Sequence, residues 1–174
     1  MKYLVRFFVI TLILINSKSL FAEEKILYID MAKLLNESNA GKSAQEYLTK
    51  SHNSSLKKFK KIEENLKKEE AELLGKKKIL TKEEYKKLFD ELRKKYNNYQ
   101  KDRRETLEKI SNQRSKARQE MLKAIEPILS NYSVENSVAI IMDKKDIILG
   151  KKDNDITLVI LEKLNKSLPS LSLK

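Results

Sequence analysis

The side chains that most often carry catalysis are scarce in this sequence. Its 174 residues include one histidine, His52, and no cysteine. The lack of cysteine excludes a thiolate nucleophile, a disulfide framework and a zinc site built on thiolates. One histidine also excludes sites that need two imidazoles, as the common zinc hydrolases do. No acid or nucleophile is placed to partner His52, so we predict a protein without enzymatic activity, metal or cofactor.

One triplet, Gly41-Lys42-Ser43, resembles the end of a phosphate-binding loop, because it follows a predicted strand and precedes a predicted helix. That loop also requires a glycine five residues before Gly41, where this chain has Asn36. We therefore interpret the triplet as the turn that leads into a helix, and we predict no nucleotide binding.

Positive charge is concentrated in the middle of the chain. The whole sequence has 37 Lys and Arg against 25 Asp and Glu, a formal net charge of +12. Between Lys42 and Lys123 there are 25 basic and 14 acidic residues, a net charge of +11. Most of the basic residues are lysines, which attract anions diffusely, whereas arginine binds a carboxylate through two hydrogen bonds. The asymmetry indicates two regions with different roles.

Residues 1–22 have the order of a secretory signal peptide. Lys2 and Arg6 precede an apolar run from Phe7 to Ile15, and Ala22 provides a small residue at a plausible cleavage point. The run has about half of the ~20 apolar residues that a membrane-spanning helix needs. We therefore expect export with cleavage, and a mature protein that works outside the cytoplasm, where ATP is scarce.

The central segment, residues 42–130, is predicted to form an antiparallel helical hairpin, which we call the arm. Its first helix lacks Pro and Gly from Lys42 to Leu74, and a capping box starts its second helix at Thr81. Seam positions, which face the partner helix, recur at the steps of three and four residues that are typical of a coiled coil. In the first helix they are Leu48, His52, Ser55, Phe59, Ile62, Leu66, Glu69 and Leu73. In the second they are Tyr85, Leu88, Leu92, Tyr96, Tyr99, Arg103, Thr106, Ile110, Arg114, Ala117, Met121, Ala124 and Ile128.

Polar side chains interrupt this seam, because Arg103, Thr106 and Arg114 occupy positions where apolar side chains belong. The arm should therefore have few buried contacts and bend easily, particularly near its tip. The seam tyrosines could instead form stacking platforms for single-stranded nucleic acid, but their helical spacing favours packing in the seam.

The residues on both sides of the arm are predicted to form one head, because the arm returns to its starting point. The first flank, 23–41, should contribute a strand and a short helix, and the second, 131–174, a β-hairpin and a C-terminal helix. The predicted elements are strands at 26–29, 138–142 and 147–149, and a helix at 156–166 with Asp155 as its cap.

Each predicted strand is apolar at successive positions, so both faces of the sheet should be covered. Three strands and one short helix cannot cover both faces within one protomer, and open sheet edges favour pairing with another chain. Several copies are therefore expected to close their sheets into one barrel. The residues predicted to support this assembly are Ile26, Tyr28, Val138, Ile140, Ile147 and Leu149.

Taken in order, these segments resemble the Skp/OmpH family of periplasmic chaperones. The resemblance lies in ILYID at 26–30, LTKEEYKKLFDEL at 80–92, VAIIMDKKDIILGKKDNDIT at 138–157 and LVILEKLNK at 158–166. It implies an α+β fold, in which a long antiparallel α-helical coiled-coil hairpin projects from a small β-barrel head formed by trimerisation. For the tail, residues 166–174, it suggests no role.

The resemblance implies a homotrimer with three helical arms around a cavity. Its implied function is that of an ATP-independent holdase, which keeps unfolded outer-membrane proteins soluble in the periplasm. Contact with anionic lipid or lipopolysaccharide is also implied, but it maps onto no particular positions here. The candidate client-binding residues, chosen by charge density, are Lys57, Lys58, Lys76, Lys77, Lys78, Arg103 and Arg104.

Two other functions fit the same residues. A basic exported coiled coil could bind nucleic acid or an anionic membrane surface, although export argues against nucleic acid and these charged helices lack the large apolar face of a membrane binder. The arm could also be a structural spacer in the cell envelope. Suppression of client aggregation by a trimer would favour the chaperone over both, because the first alternative predicts salt-sensitive duplex binding and the second predicts no effect on aggregation.

Overall fold

The computed structural model describes residues 25–173, so the predicted signal peptide lies outside the described part of the chain. The described residues form a mostly helical fold with one two-stranded sheet. In chain order the elements are strand β1 (Lys25–Ile29), helices α1 (Met31–Glu37), α2 (Asn39–Gly75) and α3 (Lys82–Asn136), strand β2 (Val138–Asp143) and helix α4 (Thr157–Ser167), with 3-10 turns at Lys144–Asp146 and Lys152–Asn154. Of the helices in this part of the chain, none is both long and apolar enough to cross a bilayer.

Helices α2 and α3 form the predicted arm. They run antiparallel, since Phe59 packs on Tyr99 while Glu69, nearer the tip, pairs with Lys95. The capping box predicted at Thr81 forms with both of its hydrogen bonds. With 37 and 55 residues, the helices are about 55 and 80 Å long. Both extend beyond the predicted bounds of the arm and into the head.

The predicted seam is confirmed on α2, where all of its positions are buried or half-buried. On α3 the predicted register is partly wrong, since Gln113 is buried and the neighbouring Arg114 is exposed. An α-helix drifts by about 20° per heptad from a repeat of 3.5 residues, so the buried stripe on α3 leaves the predicted positions. The other predicted α3 seam residues that are exposed are Leu88, Tyr96 and Arg103.

The sheet joins the two segments that flank the arm. β1 and β2 are parallel neighbours, with Ile26 opposite Ile140 and Leu27 opposite Ile141. Parallel strands need a long crossover connection, and here the whole arm, together with α1, is that connection. The first two predicted strands are therefore confirmed, and both flanks of the arm meet in one head.

The predicted β-hairpin is wrong, because residues 147–149 form no strand. After β2 the Asp143 carboxylate accepts a hydrogen bond from the Lys145 N–H, and the chain continues as a 3-10 turn instead of reversing tightly. The last two residues of the predicted strand are fully exposed, at 106% and 92%. Asp155, further along, forms an isolated bridge to Tyr28 of β1. The described chain therefore forms two strands of the predicted three.

The core of the head lies on one side of the sheet. Its largest fully buried side chains come from α1, the base of α3 and α4, and they include Leu34, Ile125 and Ile160. Ile26 and Ile140, which are opposite each other in the sheet, are 52% and 51% exposed. Within the described residues this part of the second face is uncovered, as expected for a single copy of the chain, whereas Tyr28 on the same face is covered by the segment around Gly150.

Gly41 permits the sharp junction between α1 and α2. A Cβ at this position would lie 2.1 Å from the Leu35 carbonyl oxygen, so a larger residue would force the backbone to move. The Gly41 N–H donates to the Oγ of Ser38, the residue that caps α2, at 3.1 Å. The triplet Gly41-Lys42-Ser43 therefore lies in the first turn of a helix, and the need for glycine there is steric.

The C-terminal tail packs on the head. Leu171 and Leu173 are buried in the same core cluster as Ala40 and Ala44 of α2. The Leu171 N–H also donates to the Ser43 Oγ at 3.2 Å. Alternate residues of the tail thus complete the core around the base of the arm, a role that the sequence analysis did not identify.

Replacing both tail leucines should destabilise the head. Because each side chain is more than 90% buried, we expect L171S/L173S to lower the free energy of unfolding by at least about 2 kcal/mol. Chemical denaturation followed by circular dichroism measures this change. The control is S170A/S172A, which alters the exposed residues of the same segment. Equal stability of the two variants would contradict the assigned role of the tail.

A polar network joins the end of β1 to the start of α4. The Thr157 hydroxyl accepts a hydrogen bond from the Asp30 N–H at 2.8 Å and donates one to the Asp155 carboxylate. That carboxylate also accepts a hydrogen bond from the Thr157 N–H at 3.0 Å and pairs with Lys144 at 3.4 Å. Burial alone would raise the pKa of Asp155, but these hydrogen bonds lower the pKa overall.

The Asp155 carboxylate should therefore make folding stability depend on pH. Because its pKa is lower in the folded than in the unfolded state, it stabilises the fold at neutral pH and loses this effect as the pH falls through the folded pKa. We expect D155N to lower Tm at pH 7, with a difference from the wild type that shrinks below about pH 4. Thermal unfolding at both pH values measures this, with D153N at an exposed position as the control. A constant difference across this pH range would contradict the assignment.

Candidate functional site

The seven predicted client-binding residues are all exposed. Lys76, Lys77 and Lys78 lie together in the turn at the tip of the arm, between α2 and α3. The other four form a second group near the middle of the arm, since the antiparallel pairing places Lys57 and Lys58 at about the height of Arg103 and Arg104. The structure therefore brings the predicted residues together at two places, one at the tip and one midway along the arm.

Lysine is the cation in every ion pair that the structure describes within residues 25–173. None of the seven predicted client-binding residues takes part in these pairs. Arginine is confined to α3 within the same residues, at positions 93, 103, 104, 114 and 118. The side chains best suited to bidentate carboxylate binding are therefore available to a partner along one helix of the arm.

The apolar packing of the arm is discontinuous. A small cluster of Phe59, Leu66 and Tyr99 lies midway along the arm, where the rings of Phe59 and Tyr99 meet edge to face at 6.0 Å. It is separated from the core of the head by the half-buried polar seam residues His52 and Ser55. His52 thus lies in the helix interface, as predicted. Few buried contacts hold this stretch, which favours local bending.

One exposed carboxylate supports the small cluster from outside. Glu63 accepts hydrogen bonds from Lys67 at 2.9 Å and from the Tyr99 hydroxyl at 3.4 Å. The hydrogen bond and the charge of Lys67 lower the pKa of Glu63, and Glu63 in turn raises the pKa of Lys67. Since both side chains are solvent-exposed, this pair adds little stability, but it neutralises two charges beside the cluster.

The two larger of the described grooves between the arm helices lie at the base and in the middle of the arm. The groove at the base of the arm has a volume of about 650 Å³ and includes Arg114 and Arg118 in its lining. The mid-arm groove has a volume of about 600 Å³ and is bordered by Phe89, Arg93 and Tyr96. The sequence analysis missed Phe89 and Arg93 and placed Tyr96 in the seam. Phe89 and Arg93 each directly follow a predicted seam position, Leu88 and Leu92. Aromatic residues and arginines next to seam positions are the signal that could have identified this groove.

The predicted assembly residues of the head differ in exposure. Ile26, Ile140 and Leu149 are exposed, whereas Val138 and Ile147 are half-buried. Two further exposed apolar side chains, Met142 and Ile148, were not among the predicted residues.

The remaining predicted residue, Tyr28, is buried within its own protomer. Its ring packs so closely on Gly150 that a Cβ there would lie 2.8 Å from a ring carbon. Its hydroxyl donates to the Lys151 carbonyl oxygen at 3.1 Å. Tyr28 therefore anchors the exposed segment around residues 148–150 to the sheet.

The described residues define a class of mostly helical proteins, in which a small head built from both flanks carries a long helical arm. Residues 25–164 match the family described as Outer membrane protein (OmpH-like), and the chain belongs to this family. A proposed outer membrane chaperone (OmpH-like) from Caulobacter crescentus CB15 has a similar structure, with a TM-score of 0.78 and 15% sequence identity, over 86% of this chain and 88% of that chain. A comparison with curated proteins gives no match.

These comparisons confirm the family resemblance found in the sequence. The structural likeness also confirms the OmpH-like fold, with its long helices and small sheet. The family match ends at Leu164, so the buried leucines of the tail lie beyond it.

Proposed function

We propose that this protein is an ATP-independent periplasmic holdase, which binds unfolded outer-membrane proteins between basic helical arms and prevents their aggregation. The observation that carries this proposal is the arm itself, where exposed cations without acidic partners lie beside exposed apolar side chains. Such a surface attracts acidic chains and offers them many weak contacts without imposing a structure. Membership of a chaperone family and the signal-peptide pattern support the same function and compartment.

We also propose that the working form is a homotrimer with a shared β-barrel head. Within the described residues β2 pairs only with β1, so its outer edge has free backbone hydrogen-bonding groups. The uncovered face of the sheet carries Ile26 and Ile140, and Leu149 lies exposed beyond β2. An open strand edge and exposed apolar side chains are both satisfied when sheets of several copies join into a closed barrel. The arms of such an assembly would surround a common cavity.

Client capture would proceed in two stages. Outer-membrane proteins are commonly acidic when unfolded, so the positive arms attract them at distances set by the salt concentration. Short-range contacts with apolar side chains on the arm then retain the client. The weakly packed stretch around His52 and Ser55 would let each arm bend and adapt the cavity to clients of different size.

The function is tested by diluting a urea-unfolded porin into buffer with the mature protein and following its aggregation by light scattering. We expect suppression without ATP that weakens as salt is raised. Absence of suppression would contradict the proposal, as would a duplex DNA affinity exceeding the affinity for the porin.

Loss of the tip charges should weaken capture more than loss of the same charge from the head. We expect K76Q/K77Q/K78Q to raise the protein concentration needed for half-suppression severalfold at low salt, with little difference in 1 M salt, where the Debye length is about 3 Å. The matched control is K151Q/K152Q/K166Q, which removes three exposed lysines from the head. Equal effects of the two variants would contradict a role for the tip in client attraction.

A further inference from the structure

The mid-arm groove combines two kinds of side chain in a regular order. Along α3, the residues Phe89, Arg93, Tyr96, Gln100 and Arg103 follow one another at steps of four and three, so they form one stripe of the helix. The floor of the groove is apolar, from Leu66, Leu92 and Tyr99. Aromatic rings and guanidinium groups therefore alternate along the wall of an apolar channel.

The aromatic side chains of this stripe are held in place but remain accessible. Phe89 is 48% exposed and Tyr96 is 51% exposed. Tyr85 stacks on Phe89 with ring centroids 6.5 Å apart. Gln100 donates a hydrogen bond to the Tyr96 hydroxyl at 2.9 Å. Both rings thus offer open faces without having to be ordered on binding, which favours recognition.

The charge of the groove favours a carboxylate. Of its acidic residues, Glu63 pairs with Lys67 and accepts a hydrogen bond from the Tyr99 hydroxyl, and the charge of Arg103 also helps to lower the pKa of Glu63. Glu70 is the other acid in the lining. Arg93 and Arg103 make no ion pair within the part of the chain that the structure describes, and they outnumber Glu70. A guanidinium group binds a carboxylate through two parallel hydrogen bonds, which a lysine cannot do.

The spacing along the groove suits an extended polypeptide. Phe89 and Arg93 are four residues apart on a helix, which separates them by about 6 Å along its axis. In an extended chain, side chains at i and i+2 point to the same side and are about 7 Å apart. A client segment lying along the groove can thus place an aromatic side chain on Phe89 or Tyr96 and a carboxylate on a neighbouring arginine.

We propose that the mid-arm groove recognises extended segments in which aromatic and acidic side chains occupy alternate positions on one face. This inference rests on the proposed holdase function and adds selectivity to it. The lysines of the tip attract any acidic chain, whereas the groove retains segments with a particular pattern. Alternation along an extended chain is the pattern of a β-strand, so the groove would hold strand segments before they pair.

The test uses fluorescence anisotropy with the mature protein and two labelled peptides of equal composition. In the first peptide every second residue is Phe or Asp in turn, so that both types lie on one face of an extended chain. In the second peptide the same residues are separated into an aromatic half and an acidic half. At physiological salt we expect the alternating peptide to bind more tightly. We expect R93Q/R103Q to weaken its binding by at least about fivefold, as two exposed charge pairs are lost.

Matched control variants distinguish binding in the groove from nonspecific attraction by positive charge. K94Q/K109Q removes the same charge from exposed positions of the same helix outside the groove lining, and it should weaken binding by less than about twofold. F89S/Y96S should also weaken binding, whereas Y47S/L107S, at positions with 41% and 42% exposure outside the groove, should not. Circular dichroism verifies that each variant keeps its helical content.

Several outcomes would overturn the proposal. Equal affinities of the two peptides would contradict selectivity for the alternating pattern. Equal effects of R93Q/R103Q and K94Q/K109Q would contradict binding in the groove. If R93Q/R103Q abolished binding to vesicles of anionic phospholipid but left peptide binding unchanged, the groove would be a lipid site. Each of these results leaves suppression of porin aggregation by the wild type untouched, so failure here is distinguishable from failure of the proposed function.

Discussion

The parallel pairing of β1 with β2 is the constraint on which the rest of the structure depends. It brings residues from the two flanks of the arm, such as Ile26 and Ile140, into one sheet. A parallel pair of strands requires a crossover connection, and in this protein that connection contains the long arm. The base of the arm must therefore return to the same head, which the steric fit of Gly41 and the network around Thr157 help to fix. The buried leucines of the tail hold the same region together.

The arm is built with less apolar contact than stability alone would favour. A two-helix hairpin buries only a narrow stripe, and in this one the stripe contains polar residues between the head and the small cluster around Tyr99. Because few side chains are buried in the arm, much of its surface is accessible, including the aromatic rings and arginines that border the mid-arm groove. A holdase benefits from such a surface, because clients of many sequences must be held weakly and released without ATP.

Much of the fold could be predicted from local signals. The capping box at Thr81 and the α2 seam depend on residues close in sequence, and both are confirmed. The predicted hairpin failed because Asp143 stabilises a 3-10 turn where an apolar run seemed to continue the sheet. The tail could not be assigned, since its leucines alternate with serines over too few residues to indicate burial. The charged residues of the arm were found from density alone, whereas the mid-arm groove appears only once the two helices are packed.

The central claim is that the head of one protomer is incomplete, and that its open strand and apolar face are closed by other copies. Sedimentation equilibrium of the mature protein over a range of concentrations tests it most directly. We predict a folded species with three times the mass of the chain that persists on dilution. A folded species with the mass of a single chain at all concentrations would contradict the account.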